Sequence, residues 1–296
     1  MSSTPTPVKQ HSSYQDQIQN LLDNGLQIAD TLKAQELLKK VNYYRLSGYM
    51  RFFKDRTTGK FDSKATLENV FRLYEFDRRL RQLVMGQLEI IEVMFRSRIS
   101  FRIADFHGPL AYKDPQYFKD PQQHATFLVD LDKEISRSSK VTFVAHHIQN
   151  YGGNLPIWVA IEVMSFGTLS KLYGNISTTD QKGIAKEFGT SHEHVESWLR
   201  HFCLIRNICA HYSRVYGRMF SFAPKIYKRD KGHFFVIHPA QQRTFYGTLY
   251  AMRKLLSSEE QWTSFLIELD ALLEEYKDVV TLTELGLDKN WLSKMR

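Results

Sequence analysis

Arg206, Asn207 and His211 bring three kinds of chemistry into one short stretch, "LIRNICAHYSRVYGR" (Leu204–Arg218). The arginine is charged at any physiological pH, and its planar guanidinium fits phosphate oxygens. The histidine can take or give a proton near neutral pH. The asparagine adds an amide that both donates and accepts hydrogen bonds. These types suit phosphodiester cleavage, with His211 moving the proton and Arg206 holding the charge that builds on the phosphoryl oxygens. RNA brings its own nucleophile, the 2′-hydroxyl, so no metal is needed and no cofactor is expected.

The Arg-x4-His spacing alone says little. The chain has 11 histidines, and Arg102 and His107 in "RIADFH" repeat the same spacing. That second pair sits at a helix end before Gly108-Pro109, lacks an asparagine after the arginine and has no basic surround. It reads as a chance match. Helix geometry favours the first pair. At about 100° per residue, Phe202, Ile205, Cys209 and Tyr212 fall on a buried side. Asn207, His211 and Arg214 stack at i, i+4 and i+7 on the other side, with Arg206 at its edge.

Charge concentrates in the same region. The chain carries a net charge of +8. Between Arg200 and Lys231 lie Arg200, Arg206, Arg214, Arg218, Lys225, Lys228, Arg229 and Lys231 against one acid, Asp230. Such a cluster attracts phosphate backbones in a salt-dependent way, and it is equally compatible with a plain solvated surface. Arg214, Arg218, Lys225, Lys228 and Arg229, with Arg45 nearer the N-terminus, are the candidate RNA-binding residues.

The elements that must position these residues are helical. Hydrophobic content is 43%, with 15 Gly and 8 Pro, which argues against a loop-rich β-sandwich. No run of 18 apolar residues exists, so no membrane span is expected. Residues 1–13 read as a disordered tail without a secretory signal. Cys203 and Cys209 lie six apart on one predicted helix and are not expected to pair. A cytoplasmic location follows as the simplest expectation. Residues 14–60 read as an N-terminal helical segment: Tyr14–Asn24, then Thr31–Lys40 capped by Asp30, then the aromatic "VNYYRLSGYMRFF" (Val41–Phe53), best read as a packed corner. Lys54–Lys64 reads as a loop.

A main helical domain is expected over residues 61–256. Thr66 to about Phe106 is its strongest helix, with Val84, Leu88, Ile91, Phe95 and Ile99 on one side and Glu89, Glu92 and Arg96 along its edge. Further helices are expected near Ala125–Arg137 and Val141–Tyr151. "LPIWVAIEVMSFGTLSKLYG" reads as one buried helix with Pro156 near its start, and Glu162 inside it needs a partner. Thr178–Phe188 and Ser191–Arg206 or beyond follow. A small β-hairpin is expected near 225–237 around "RDKG". C-terminal helices at Gln241–Leu256, Glu259–Tyr276 and Asn290–Lys294 complete the chain, those in 257–296 packing on the main domain.

No phosphate-binding glycine loop, dinucleotide fingerprint or nucleophile elbow is present. His146-His147 and His192-x-His194 lack the further ligands that a zinc site requires.

"RNICAH" resembles the RNxxxH signature of HEPN-domain ribonucleases. "NYYRLSGY", "LYEFDRRLRQLV", "IEVMFRSRI", "LPIWVAIEVMSFGTLSKLY" and "LIRNICAHYSRVYGR" together resemble the abortive-infection (Abi) family of bacterial phage-resistance proteins, in the family's order and over roughly residues 14–250. The resemblance implies an all-α, HEPN-like helical bundle with an N-terminal helical extension. It implies a homodimer in which two RNxxxH helices face each other across one composite active site. It also implies a metal-independent endoribonuclease acting as an antiviral toxin, with RNA as substrate and a small RNA as a regulatory partner. Arg206 and His211 would be the catalytic pair and Asn207 an auxiliary polar residue. Glu89, Glu92 and Arg96 resemble the acidic-basic patch that such folds place near the active helix. Two other readings stay open: a non-catalytic RNA-binding module, and a protein-interaction scaffold with an inactive motif.

Overall fold

The structure is a computed structural model that describes residue 8 and residues 10–233, 240–256 and 260–296. Thirteen α-helices form among the described residues, with no strand ladder and three isolated β-bridges. The expected all-α class is what the structure shows. The chain divides into two compact units, Met1–Arg79 with Leu272–Val280, and Leu80–Ala271 with Thr281–Arg296.

In the first unit, α1 (Tyr14–Asp23) starts with a reciprocal capping box between Ser13 and Asp16. In α2 (Thr31–Lys40) the Asp30 carboxylate accepts from the Leu32 and Lys33 N–H groups, as its sequence position predicts. Asn42 caps α3 (Tyr43–Met50), and a 3-10 turn follows at Arg51–Phe53. The aromatic corner is packed only in part: Tyr49 is buried with Leu46 and Met50, its hydroxyl donating to Asp77 at 2.7 Å, while Tyr43, Phe52 and Phe53 are half-buried and Tyr44 is 86% exposed. The long helix α4 (Leu67–His107) gives its residues up to Arg79 to this unit. There Arg72 and Arg79 pair with Asp278 and Glu275.

In the second unit, α4 continues with Leu80, Val84, Leu88, Ile91, Phe95, Ile99 and Ile103, all 3% exposed or less. That i, i+3, i+4 stripe is the periodicity the sequence displays. Then come α5 (Pro121–Arg137), capped by Asp120, α6 (Thr142–Asn150), α7 (Ile157–Val163), α8 (Phe166–Asn175), α9 (Thr178–Glu187) and α10 (His192–Ala210). They are followed by α11 (Phe245–Leu256), α12 (Glu260–Glu275), whose residues from Leu272 count with the first unit, and α13 (Trp291–Met295). The helix α10 packs against α8, α9 and α11, and its Trp198, Phe202 and Ile205 are fully buried.

Three expectations change. The apolar stretch after Pro156 is two helices. Ser165 breaks it by capping α8 through the Thr168 N–H, while Arg96 donates to the carbonyls of Glu162 (3.0 Å) and Met164 (2.7 Å) at the end of α7. Glu162 itself is exposed, with Arg96 at 3.5 Å as its ion-pair partner. The hairpin does not form over its described part. Lys228–His233 is a 3-10 turn, and residues 234–237 lie outside the described residues, as do residue 259 and most of the expected tail. Helix side chains replace a partner strand: Lys225 N–H donates to Ser197 Oγ, Trp198 Nε1 donates to the Lys225 carbonyl, and Tyr227 N–H donates to the Tyr250 hydroxyl.

Candidate functional site

The helix α10 ends sooner than its residues suggest. Ala210 is its last residue, His211 is the C-cap, and Tyr212 takes a left-handed conformation with φ +56°. Tyr212 N–H bonds the Cys209 carbonyl and Ser213 N–H bonds the Ile208 carbonyl, the paired bonds of a Schellman stop. Two expected positions therefore change. Tyr212 is 68% exposed instead of buried, and Arg214 leaves the Asn207–His211 face and donates to the Tyr216 carbonyl. Phe202, Ile205 and Cys209 are buried as expected.

Arg206 is half-buried, and Asn207 and His211 are exposed at the end of α10. Neither the Arg206 guanidinium nor the His211 imidazole has a hydrogen-bond or ion-pair partner among the described residues. Asn207 Nδ2 lies 3.9 Å from Cys203 Sγ one turn back. Burial pushes the Cys203 thiol up against the opposing pull of Arg206, which keeps it protonated and a poor nucleophile.

Arg206 lines a cavity of about 430 Å³. Its walls come from α4 (Glu92, Arg96), the end of α5 (Glu134, Arg137), the α5–α6 turn (Ser138, Val141), α6 (Phe143), the α7–α8 junction (Glu162–Ser165) and α10. Glu92 and Arg96, of the edge stripe expected near the active helix, both share this cavity with Arg206. Arg96 Nη2 sits 2.6 Å from Glu92, and its other contacts hold the α7–α8 junction, so both terminal nitrogens of this guanidinium are engaged while its buried Nε has no partner. Glu89 is exposed and does not line the cavity; Asn207 and His211 also lie outside its walls.

The other candidates spread out. The chain after Tyr212 runs back along α10. The Phe222 carbonyl meets His201 Nδ1, Lys225 meets Trp198, and the Tyr227 ring lies tilted against His194 with centroids 4.2 Å apart. Lys225, Lys228 and Arg229 are thus exposed near the start of α10, some 25 Å of helix from His211 at about 1.5 Å per residue. Arg218 Nη1 is 3.4 Å from the Arg214 carbonyl, close to the helix end. Arg45 is exposed on α3 in the first unit.

Reading the sequence missed Arg137, Ser165 and Phe143 as neighbours of Arg206. Their common position depends on how α5, α6 and α8 pack, which no local pattern encodes. The two histidine pairs are locally engaged. His147 Nδ1 bonds the Phe143 carbonyl, His146 bonds Asn150, and His194 bonds Ser191. No helix among the described residues is long and apolar enough to cross a membrane.

No curated protein and no solved structure matches the chain. Over residues 36–217, from within α2 to just past the Schellman stop and well over half of its length, the chain matches the profile of the Abi-like proteins, and it belongs to that family.

Proposed function

We propose that this chain is a metal-independent HEPN-type endoribonuclease that acts as an abortive-infection toxin against phage. Membership of the Abi-like family supports the defence role. The observation that carries the chemistry is that half-buried Arg206, whose side chain has no partner among the described residues, stands with exposed Asn207 and His211 at the end of one helix.

In this reading His211 removes the proton from the 2′-hydroxyl or delivers one to the leaving 5′-oxygen. Arg206 stabilises the negative charge of the phosphorane. One protomer leaves His211 open to solvent, which fits a homodimer that closes a composite site from two α10 ends. The site would act in the cytoplasm, on RNA, under restraint by a structured small RNA.

The test is cleavage of RNA by the purified chain, freed of bound nucleic acid. Wild type should cleave, and Arg206→Ala and His211→Ala should each lower cleavage by about a hundredfold or more while remaining folded. A folded wild type that cuts no RNA, or variants that cut normally, would sink the reading.

A second reading, binding of RNA without cleavage, is favoured by the exposed Lys225, Lys228 and Arg229 at the far end of α10. It predicts RNA binding that is lost with those three cations and kept in His211→Ala.

A further inference from the structure

Five cations line the cavity beside Arg206 and a second, smaller one of about 310 Å³ that shares Glu134, Arg137 and Ser165 with it. Three of them are paired with carboxylates. Arg96 is held by Glu92 and Glu162. Lys171 and Lys133 both pair with Asp130, at 2.7 and 3.6 Å. Arg137 and Arg206 make no ion pair or hydrogen bond with any described residue. Half-buried Arg206 and exposed Arg137 are two guanidinium groups on the wall of one cavity, neither paired with an acid among the described residues, and together they can hold an anion.

The cavity also has an apolar side. Val141 and Phe143 line it and remain 44% and 40% exposed. Its size falls within the roughly 300–1,000 Å³ typical of small-ligand sites. A phosphate group with a flat aromatic body attached matches this combination. A base can lie on the Phe143 ring while the phosphate meets the arginines.

There is a plainer account of Arg137. A cation in the last turn of α5 is favourable to the helix by itself. That explains the charge but not its position on the wall that Arg206 also lines, nor the lack of an acid partner beside four nearby carboxylates.

Resting on the ribonuclease reading above, we propose that Arg137 is a second phosphate-holding residue of the site. The cavity then seats one nucleotide of single-stranded RNA, with its phosphodiester between Arg206 and Arg137 and its base against Phe143. Arg137 touches substrate and positions it, and the proton transfers remain with His211.

The experiment measures binding of a fluorescein-labelled, 2′-O-methyl oligonucleotide by fluorescence anisotropy at several salt concentrations, alongside cleavage of the matching RNA. The 2′-O-methyl probe lacks the attacking hydroxyl, so binding is read without turnover. Arg137→Gln should weaken binding about tenfold, the worth of one charge-assisted contact. It should also flatten the salt dependence by about 0.7 in slope, the value for one single-strand phosphate contact. In cleavage the loss should appear mainly in KM, and Arg137→Lys should restore part of it. Phe143→Ala should weaken binding with the salt slope unchanged. Lys140→Gln removes another exposed charge three residues away and should bind as wild type does.

Wild type that cleaves RNA while Arg137→Gln keeps its affinity and salt slope overturns this proposal and leaves the ribonuclease reading standing. Wild type that neither binds nor cleaves overturns both. Displacement of the probe by adenosine monophosphate or inorganic phosphate at the oligonucleotide's own concentration would identify a free-nucleotide site and overturn the assignment to RNA.

Discussion

Two arginine–histidine pairs with identical spacing occur in this chain, and the structure puts them to opposite uses. Arg102 and His107, both on α4, converge on Asp180 of α9. Arg102 Nε lies 2.8 Å from one carboxylate oxygen and His107 Nε2 lies 2.9 Å from the other. Asp180 is 2% exposed, Ser177 adds a further hydrogen bond, and Arg102 stacks 3.6 Å above the Phe106 ring. Among the described residues, Arg206 and His211 meet no such acid. Their side chains remain uncommitted at the end of a helix. The lesson is that spacing does not make a pair functional. What matters is whether the fold supplies a buried counter-charge that consumes it.

The largest expected contrast is in activity. Arg206→Ala and His211→Ala should each lower RNA cleavage by about a hundredfold or more, with unfolding midpoints near that of wild type. Arg102→Ala and His107→Ala should unfold earlier and cut normally per folded molecule. The reverse pattern, in assays held below both midpoints, would break the comparison.

Stability comes next. Arg102→Ala leaves Asp180 buried with much of its partner charge gone, and should cost about 3 kcal/mol in denaturant unfolding at neutral pH. Burial pushes the Asp180 carboxyl up, but hydrogen bonds from Ser177, His107 and Arg102 outweigh it and hold the group below the usual carboxylate range. A depressed folded pKa contributes stability that is present above the unfolded value and lost as pH falls through the folded one. The penalty of Arg102→Ala should therefore shrink as the pH drops below about 4; a penalty constant down to pH 3 would mean that the guanidinium acts there by packing alone.

A third histidine sharpens the same point. His201, on α10 and fully buried, bonds the Phe222 carbonyl and the Thr248 hydroxyl, and burial pushes it down to about 4. Between pH 6.5 and that value the unfolded chain binds a proton that the folded chain does not, so stability falls as pH falls. The expected loss at pH 4.5 is about 2–3 kcal/mol relative to pH 7, and His201→Gln should flatten that slope.

The smallest effects test how tightly each arginine is set. A methyl on Gly183 would stand 3.0 Å from Arg102 Cζ, and Arg102 is clamped from two sides, so Gly183→Ala should destabilise by about 1 kcal/mol. Gly167, beside Cys203 in the other region, has ordinary 3.6 Å contacts for such a methyl. Gly167→Ala should be neutral or gain about 0.5 kcal/mol in thermal unfolding.

Much of the helical framework was legible because its signals are local. The Asp30 cap, the α4 stripe and the Gly108 stop each reside in a few consecutive residues. The early end of α10 was not legible, since neither glycine nor proline marks it and the left-handed residue is a tyrosine. The break at Ser165 depends on Arg96, nearly seventy positions away in sequence. For the site, the motif and its acidic-basic neighbour on α4 were readable. The arginine that shares the cavity, Arg137, and the acid that absorbs the other pair, Asp180, are visible only once the helices pack.

The Schellman stop at Tyr212 turns a sequence pattern into a fixed length. Because the chain leaves the helix at that residue, Arg206 stands five positions ahead of the C-cap and His211 occupies the C-cap itself. One residue inserted between them would rotate the histidine's place by about 100° and advance it about 1.5 Å, out of register with Arg206. A residue inserted after Ser213 would leave both side chains where they are. The region should therefore tolerate length change on one side of Tyr212 and refuse it on the other, with the left-handed residue as the boundary.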